Sequence, residues 1–136
     1  MSHPGKILYP EAFKSKLILV HWEFENDLRS ILEKSGHTGD FLGKYKQRLK
    51  LLDDMQKQCV LKNDWFENLR YANDIYCMKF NKSQKNIRIL FAFVGNNCAL
   101  LLSAFEEKDN KKMSQDSYRK HIPLAQKRLK EVIADD

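Results

Sequence analysis

NIRILFAFVGNNCALLLSAF, residues 86–105, is the most hydrophobic run in the chain. After Asn86, its polar residues are Arg88, Asn96, Asn97 and Ser103. Glycine and asparagine tolerate positive φ, so GNN (Gly95–Asn97) reads as a hairpin turn between strands Ile87–Val94 and Cys98–Phe105. A two-residue loop, Gly95-Asn96 or Asn96-Asn97, pairs residues of opposite parity. One face then carries Ile87, Ile89, Phe91, Phe93, Cys98, Leu100, Leu102 and Ala104. The other carries Arg88, Leu90, Ala92, Val94, Ala99, Leu101, Ser103 and Phe105. The first face is wholly apolar and is expected to pack on helices. Arg88 is expected on the second face, which holds smaller residues and both polar ones, near the open end of a central hairpin.

Working outward, IYCMKFN (Ile75–Asn81) reads as a strand ahead of the hairpin, and Trp65–Arg70 as a short one before it. SKLILVHWEF (Ser15–Phe24) is rich in strand formers, and Glu25–Lys34 reads as a short helix. SGHTGD (Ser35–Asp40) is a break. From Phe41 to Leu61, Leu42, Tyr45, Leu49, Leu52, Met55 and Cys59 recur at helical spacing, with Asp40 as the expected N-cap. Lys44, Lys46, Arg48, Lys50 and Lys57 fill the remaining positions and read as a solvated face. Ser114–Ile133 is helical again, with Tyr118, Ile122, Ala125, Leu129, Val132 and Ile133 as its apolar stripe. Arg119, Lys120, Lys127, Arg128 and Lys130 lie mostly off that stripe. Pro123 is expected to kink this helix or to mark its true start. Strands in sequence with helices at either end give an α+β domain: a small twisted antiparallel sheet flanked by N-terminal helices and a C-terminal helix.

The totals agree with one domain, 1–136, in which residues 1–14 are a candidate poorly ordered arm. Hydrophobic residues make up 43% and charged residues 31% of the 136, a balance that supports a packed core. Lys plus Arg is 24 against 18 acidic residues, a formal charge of +6. That excess favours a polyanionic partner, although many small proteins carry as much. No secretory leader and no membrane-length apolar run is evident, so the cytoplasm is the expected compartment. Cys59, Cys77 and Cys98 are far apart, and His3, His21, His37 and His121 lack ligand spacing. Neither a metal site nor a disulfide framework is expected.

IYCMKFN, then NIRILFAFVGNNCALLLSAFEEK, then DSYRKHIPLAQKRLKE together resemble toxins of the RelE/HigB type, in particular the phage-derived HigB-like branch. The likeness covers roughly Ile75–Glu131. It implies a cytoplasmic toxin of a toxin–antitoxin pair with a helix-turn-helix antitoxin, and a RelE-like fold. It also implies cofactor-free cleavage of translated mRNA on the ribosome, in which an RNA 2′-hydroxyl attacks the neighbouring phosphate. Charge grows on that phosphate in the transition state, so cations aimed at it are the main catalytic asset. Arg supplies a bidentate fork and Lys a point charge.

Carried over by position, Arg88 takes the place of the family's tyrosine-arginine pair arginine. Lys79 takes that of the arginine on the preceding strand, and Lys108 a basic position after Phe105. Lys111, Lys112 and Arg119 are the implied RNA contacts. Tyr118 matches the serine-tyrosine motif, and His121 is the candidate histidine. Three positions depart from the pattern: Ile87 replaces a tyrosine, Cys77 a glutamate and Glu107 a basic residue. The residues alone leave Arg88 a second role, an interstrand ion pair with Glu106 or Glu107. They likewise leave open a non-catalytic RelE-like binding protein of phage or mobile-element origin. A basic nucleic-acid-binding protein is the third class, and no helix-turn-helix or aromatic RNA-binding signature supports it.

Overall fold

The sheet is built around the hairpin that residues 86–105 encode. The computed structural model describes residues 5–6, 17–35, 38–80, 86–95, 97–107 and 111–134. Its strands are β1 (Gly5–Lys6), β2 (Ile18–Val20), β3 (Phe66–Leu69), β4 (Ile75–Lys79), β5 (Ile87–Val94) and β6 (Cys98–Glu106). Its α-helices are α1 (Phe24–Ser35), α2 (Thr38–Met55) and α3 (Lys111–Ala134). The strands form one sheet in the order β1-β2-β6-β5-β4-β3. β3 to β6 are an antiparallel meander, as expected of strands joined by short turns. β2 runs parallel to β6, which makes the sheet mixed. No hairpin dictates that direction, because the chain leaves β2 through two helices and re-enters the sheet at its far edge. The α+β class holds, with helices on both faces. Of the expected N-terminal arm, residues 1–14, only Gly5–Lys6 are described, paired with Val20 and Leu19.

The hairpin departs from the expected parity in one respect. Val94 pairs with Cys98, so the loop is the three residues Gly95–Asn97, with φ of 55° at Gly95 and 65° at Asn97. A bulge follows: Leu90 pairs with Ser103 and Phe91 with Leu101, leaving Leu102 as the extra residue. Ser103, Ala104 and Phe105 keep their expected faces, while Cys98–Leu102 exchange theirs. Ala99 and Leu101 join Ile87, Ile89 and Phe91 in a core with Phe24, Leu28, Phe41, Tyr45 and Leu49 from α1 and α2. Leu100 and Leu102 join Leu90, Ala92, Cys77 and Phe105 in a second core under Ile122, Ala125 and Val132 of α3. Both faces are therefore covered, and the face that carries Arg88 has a helix and a core of its own.

The helices show where propensity gave way to context. α2 begins at Thr38, so Asp40 sits in its first turn, where a carboxylate meets the positive end of the helix dipole. It ends at Met55, since Gln56 adopts φ 47° and the chain continues as a 3₁₀ stretch to Leu61. α3 runs unbroken past Pro123, which is exposed, and so Pro123 does not mark its start. No described helix is long and apolar enough to cross a membrane.

Arg48, expected on a solvated face, and Arg128, expected mostly off the apolar stripe of the C-terminal helix, are both buried. Arg48 is 2% exposed; its Nε–H donates to the Lys79 carbonyl at 2.8 Å. Its guanidinium lies 4.5 Å from the Trp65 ring and 4.6 Å from the Phe80 ring, a cation–π arrangement. Burial lowers its pKa to about 10, which leaves it charged at neutral pH. Arg128 is 5% exposed and donates to Asp27 Oδ2 at 2.6 Å and to the Leu102 carbonyl at 2.8 Å. Glu23 lies 3.6 Å from its other terminal nitrogen. Arg128 thus binds α3 to α1 and satisfies the carbonyl of the bulge residue. Sequence spacing does not reveal either burial, because each depends on partners distant in the chain.

Candidate functional site

The register of β4, β5 and β6 brings Lys79, Arg88 and Phe105 into one row: Lys79 pairs with Arg88, and Arg88 with Phe105. Directly paired residues share a face. Two cations therefore stand side by side at the open end of the hairpin, on the α3 side of the sheet. Like charges directly opposed weaken a sheet, and two carboxylates offset that here. Glu67 lies 3.8 Å from Lys79 Nζ, which also donates to the Asn63 carbonyl at 2.9 Å. Glu107 grips Arg88.

That grip is two-pronged. Arg88 Nε–H and Nη2–H donate to the two Glu107 oxygens, each at 3.3 Å. Nη1 donates to the Phe80 carbonyl at 2.6 Å and to the Ile87 carbonyl at 3.2 Å. The two side chains are 12% and 20% exposed, so the pair sits at the rim of the second core. The ion pair with Glu107 that the residues alone left open for Arg88 is formed.

α3 closes the row from above. The Tyr118 ring meets Phe105 edge-on at 5.2 Å, and its hydroxyl lies 4.0 Å from Cys77 Sγ. Burial, the neighbouring Cys77 and a hydrogen bond with Glu107 push the Tyr118 hydroxyl far above its ordinary pKa. Burial lifts the Cys77 thiol to about 12, against the opposing pull of Arg88. Both groups therefore stay protonated at neutral pH. Tyr118 reaches the Arg88 centre through Glu107, a link the sequence pattern did not disclose. The available signal was Glu107 itself, which stood out as a departure.

His121 stacks flat on Phe105, with ring centroids 4.5 Å apart and planes 4° from parallel. Burial lowers its pKa, so it is neutral at pH 7. Its Nδ1 is buried and has no hydrogen-bond partner. It lines a shallow cleft of about 580 Å³ with Ile31, Phe105, Asp116 and Lys120. Phe105 thus joins Tyr118, beside the charged row, to His121 in the cleft.

The other expected residues are less closely gathered. Arg119 is exposed on α3. Lys111 and Lys112 stand in the first turn of α3, with side chains outside the described residues. Lys108 lies outside the described residues altogether. His21 belongs elsewhere: its Nε2–H donates to Glu131 at 3.1 Å, while Nδ1 accepts from the Glu23 amide. Among the described residues no His, Cys, Asp and Glu group is arranged to hold a metal ion.

Comparison with curated proteins and with solved structures gives no match. A family model does match, described as Phage derived protein Gp49-like (DUF891), over residues 43–130. That span includes Lys79, Arg88, Glu107, Tyr118 and His121. It covers most of the chain, and the chain belongs to this phage-derived family of RelE/HigB-type toxins, whose members imply an antitoxin partner.

Proposed function

We propose that the protein is a HigB-like toxin that cleaves translated mRNA on the ribosome, acting in the cytoplasm as one domain and held in check by a helix-turn-helix antitoxin. The observation that carries this reading is the direct pairing of Lys79 with Arg88 at the rim of the site. Membership of a toxin family supports it further. No cofactor or metal is required. The RNA supplies its own nucleophile, the 2′-hydroxyl, and the protein supplies charge and orientation.

In this reading Arg88 and Lys79 neutralise the scissile phosphate as its charge rises. The Arg88 fork fixes orientation through its carbonyl contacts, and Arg48, bonded to the Lys79 carbonyl, steadies the end of β4 that carries Lys79. Tyr118 and His121 border the substrate on the α3 side, Tyr118 as a hydroxyl donor. Lys108, Lys111, Lys112 and Arg119 extend the positive surface along the message and the ribosomal RNA.

The test is expression in a translating extract with mapping of message ends. Wild type is expected to yield cuts within the translated region, and Arg88→Ala to cut at least ~10²-fold more slowly. Uncut message with both proteins removes the reading. Cuts in ribosome-free RNA redirect it to a free ribonuclease. A second reading, a non-catalytic RelE-like binding protein, is favoured by one observation: Glu107 already occupies Arg88. It predicts intact message and unchanged partner binding in Arg88→Ala.

A further inference from the structure

A guanidinium has five N–H donors. In Arg88 four are used: two of Nη1 on the Phe80 and Ile87 carbonyls, and one each of Nε and Nη2 on Glu107. Among the described residues no acceptor takes the fifth, so a phosphodiester arriving at this residue meets one remaining N–H. To be gripped by two, it must take the Nε/Nη2 edge from the carboxylate.

That edge is the one built to yield. Its two contacts are 3.3 Å long, whereas charge-assisted hydrogen bonds of this kind lie at about 2.7–2.9 Å. The opposite edge holds the Phe80 carbonyl at 2.6 Å and keeps the guanidinium in place during an exchange. Glu107 itself stands just past the last residue of β6 and is a fifth exposed, so its side chain has solvent to turn into.

The surroundings then decide what that carboxylate does. Tyr118 and Cys77 are held protonated by burial and do not take up a proton. His121 lies against Phe105, with its Nδ1 buried. Glu67 stands on β3, beside Lys79, one strand farther from Arg88. Among the described residues, Glu107 is the proton acceptor in contact with Arg88.

We infer that Glu107 is a catalytic residue: the substrate phosphate displaces it from Arg88, and the freed carboxylate takes the proton of the attacking 2′-hydroxyl. The inference rests on the ribonuclease reading above. The 2′-O–H bond breaks, its proton passes to Glu107, and its electron pair forms the new bond to phosphorus. The bond from phosphorus to the 5′-oxygen breaks, and that oxygen takes a proton from water. The products are a 2′,3′-cyclic phosphate and a 5′-hydroxyl end. Glu107 loses its proton to solvent and returns to Arg88. In this scheme the departure from a basic residue at position 107 supplies a base that the cation pair alone lacks.

The experiment uses the full chain and ribosomes programmed with a cleavable message, or with the same message 2′-O-methylated at the cut site, which binds without reacting. Glu107→Gln is expected to lower single-turnover cleavage by about 10²-fold or more. Its affinity for the methylated complex should equal or exceed that of wild type, since a competing charge has gone. Glu107→Asp keeps the carboxylate and should recover part of the rate. Wild-type cleavage by Glu107→Gln overturns the inference and leaves the ribonuclease reading standing. So does a parallel loss of affinity and rate that Glu107→Asp, with a native thermal melt, fails to repair. If wild type leaves the message whole, both readings fall.

Discussion

Arg88 and Arg128 are both tied to a carboxylate and to a backbone carbonyl, yet the two clusters are built for opposite ends. Arg128 meets Asp27 at 2.6 Å and the Leu102 carbonyl at 2.8 Å, and its side chain is 7% exposed. It joins two helices and completes the hydrogen bonding of a bulged strand. Arg88 meets Glu107 at 3.3 Å on both prongs, at a rim that water reaches. One charge is locked by short contacts from α1 and β6. The other is anchored on one edge by the Phe80 carbonyl at 2.6 Å and meets its carboxylate by longer contacts on the opposite edge. The difference lies in the length of the carboxylate contacts and in access, since the chemical groups are the same.

The largest effect should come from breaking the locked cluster. Arg128→Ala strips the partner from Asp27 and the Leu102 carbonyl and is expected to cost about 3–5 kcal/mol, read by urea denaturation. A loss below about 1 kcal/mol, the level of an ordinary surface pair, would erase the contrast. Arg88→Ala should cost only about 1 kcal/mol of stability, because the pair is at the rim. Its expected signature is instead the loss of cleavage described above. An Arg88→Ala protein as destabilised as Arg128→Ala would make Arg88 a structural residue. Arg48→Lys sharpens the comparison from the other side. It keeps the charge but loses the fork on the Lys79 carbonyl and the flat packing on Trp65 and Phe80, for about 1 kcal/mol by thermal melt.

The smallest effect is a pH dependence from the two histidines. Burial lowers the folded-state pKa of both His21 and His121 below the ordinary 6.5. As pH falls through 6.5 the unfolded chain binds protons that the folded chain resists. Stability is therefore complete above 6.5 and declines below it, down to the lowered folded values. Denaturation midpoints between pH 7.5 and 5 should show this, and His21→Gln with His121→Gln should flatten the slope. A slope of the opposite sign would mean that Glu131 outweighs burial at His21.

The hairpin, the flanking helices and the α+β class were legible in the sequence because strand and helix formers there occur in long, well-punctuated runs. The bulge at Leu102 was not. Residues 98–102 are apolar throughout, so alternation carries no information about which side faces which helix. The parallel pairing of β2 with β6 was hidden for a different reason: no local turn encodes it. The burial of Arg48 and Arg128 was hidden because the groups that hold them, the Lys79 carbonyl, Asp27 and the Leu102 carbonyl, are fixed only by the fold. In the site, Lys79 and Arg88 were singled out by the likeness of their strands to the family's motifs, and their direct pairing came only with the register of β4 on β5. The residues left Glu106 and Glu107 as alternative partners of Arg88, and only the fold selects Glu107, at 3.3 Å on both prongs.

The pairing of β2 with β6 also bears on how the molecule is made. Residues 18–20 find their β6 partners at residues 99–101, with two helices and most of the meander in between. During synthesis β2 has β1 available early, but it waits for its β6 partner until that last strand has emerged. Such distant pairing is slow to form and leaves strand edges open in the meantime. The row of Lys79, Arg88 and Phe105 is assembled in the same closing step, because Phe105 lies on that last strand. Until residue 105 has been made, Lys79 and Arg88 have no Phe105 beside them and the row is incomplete.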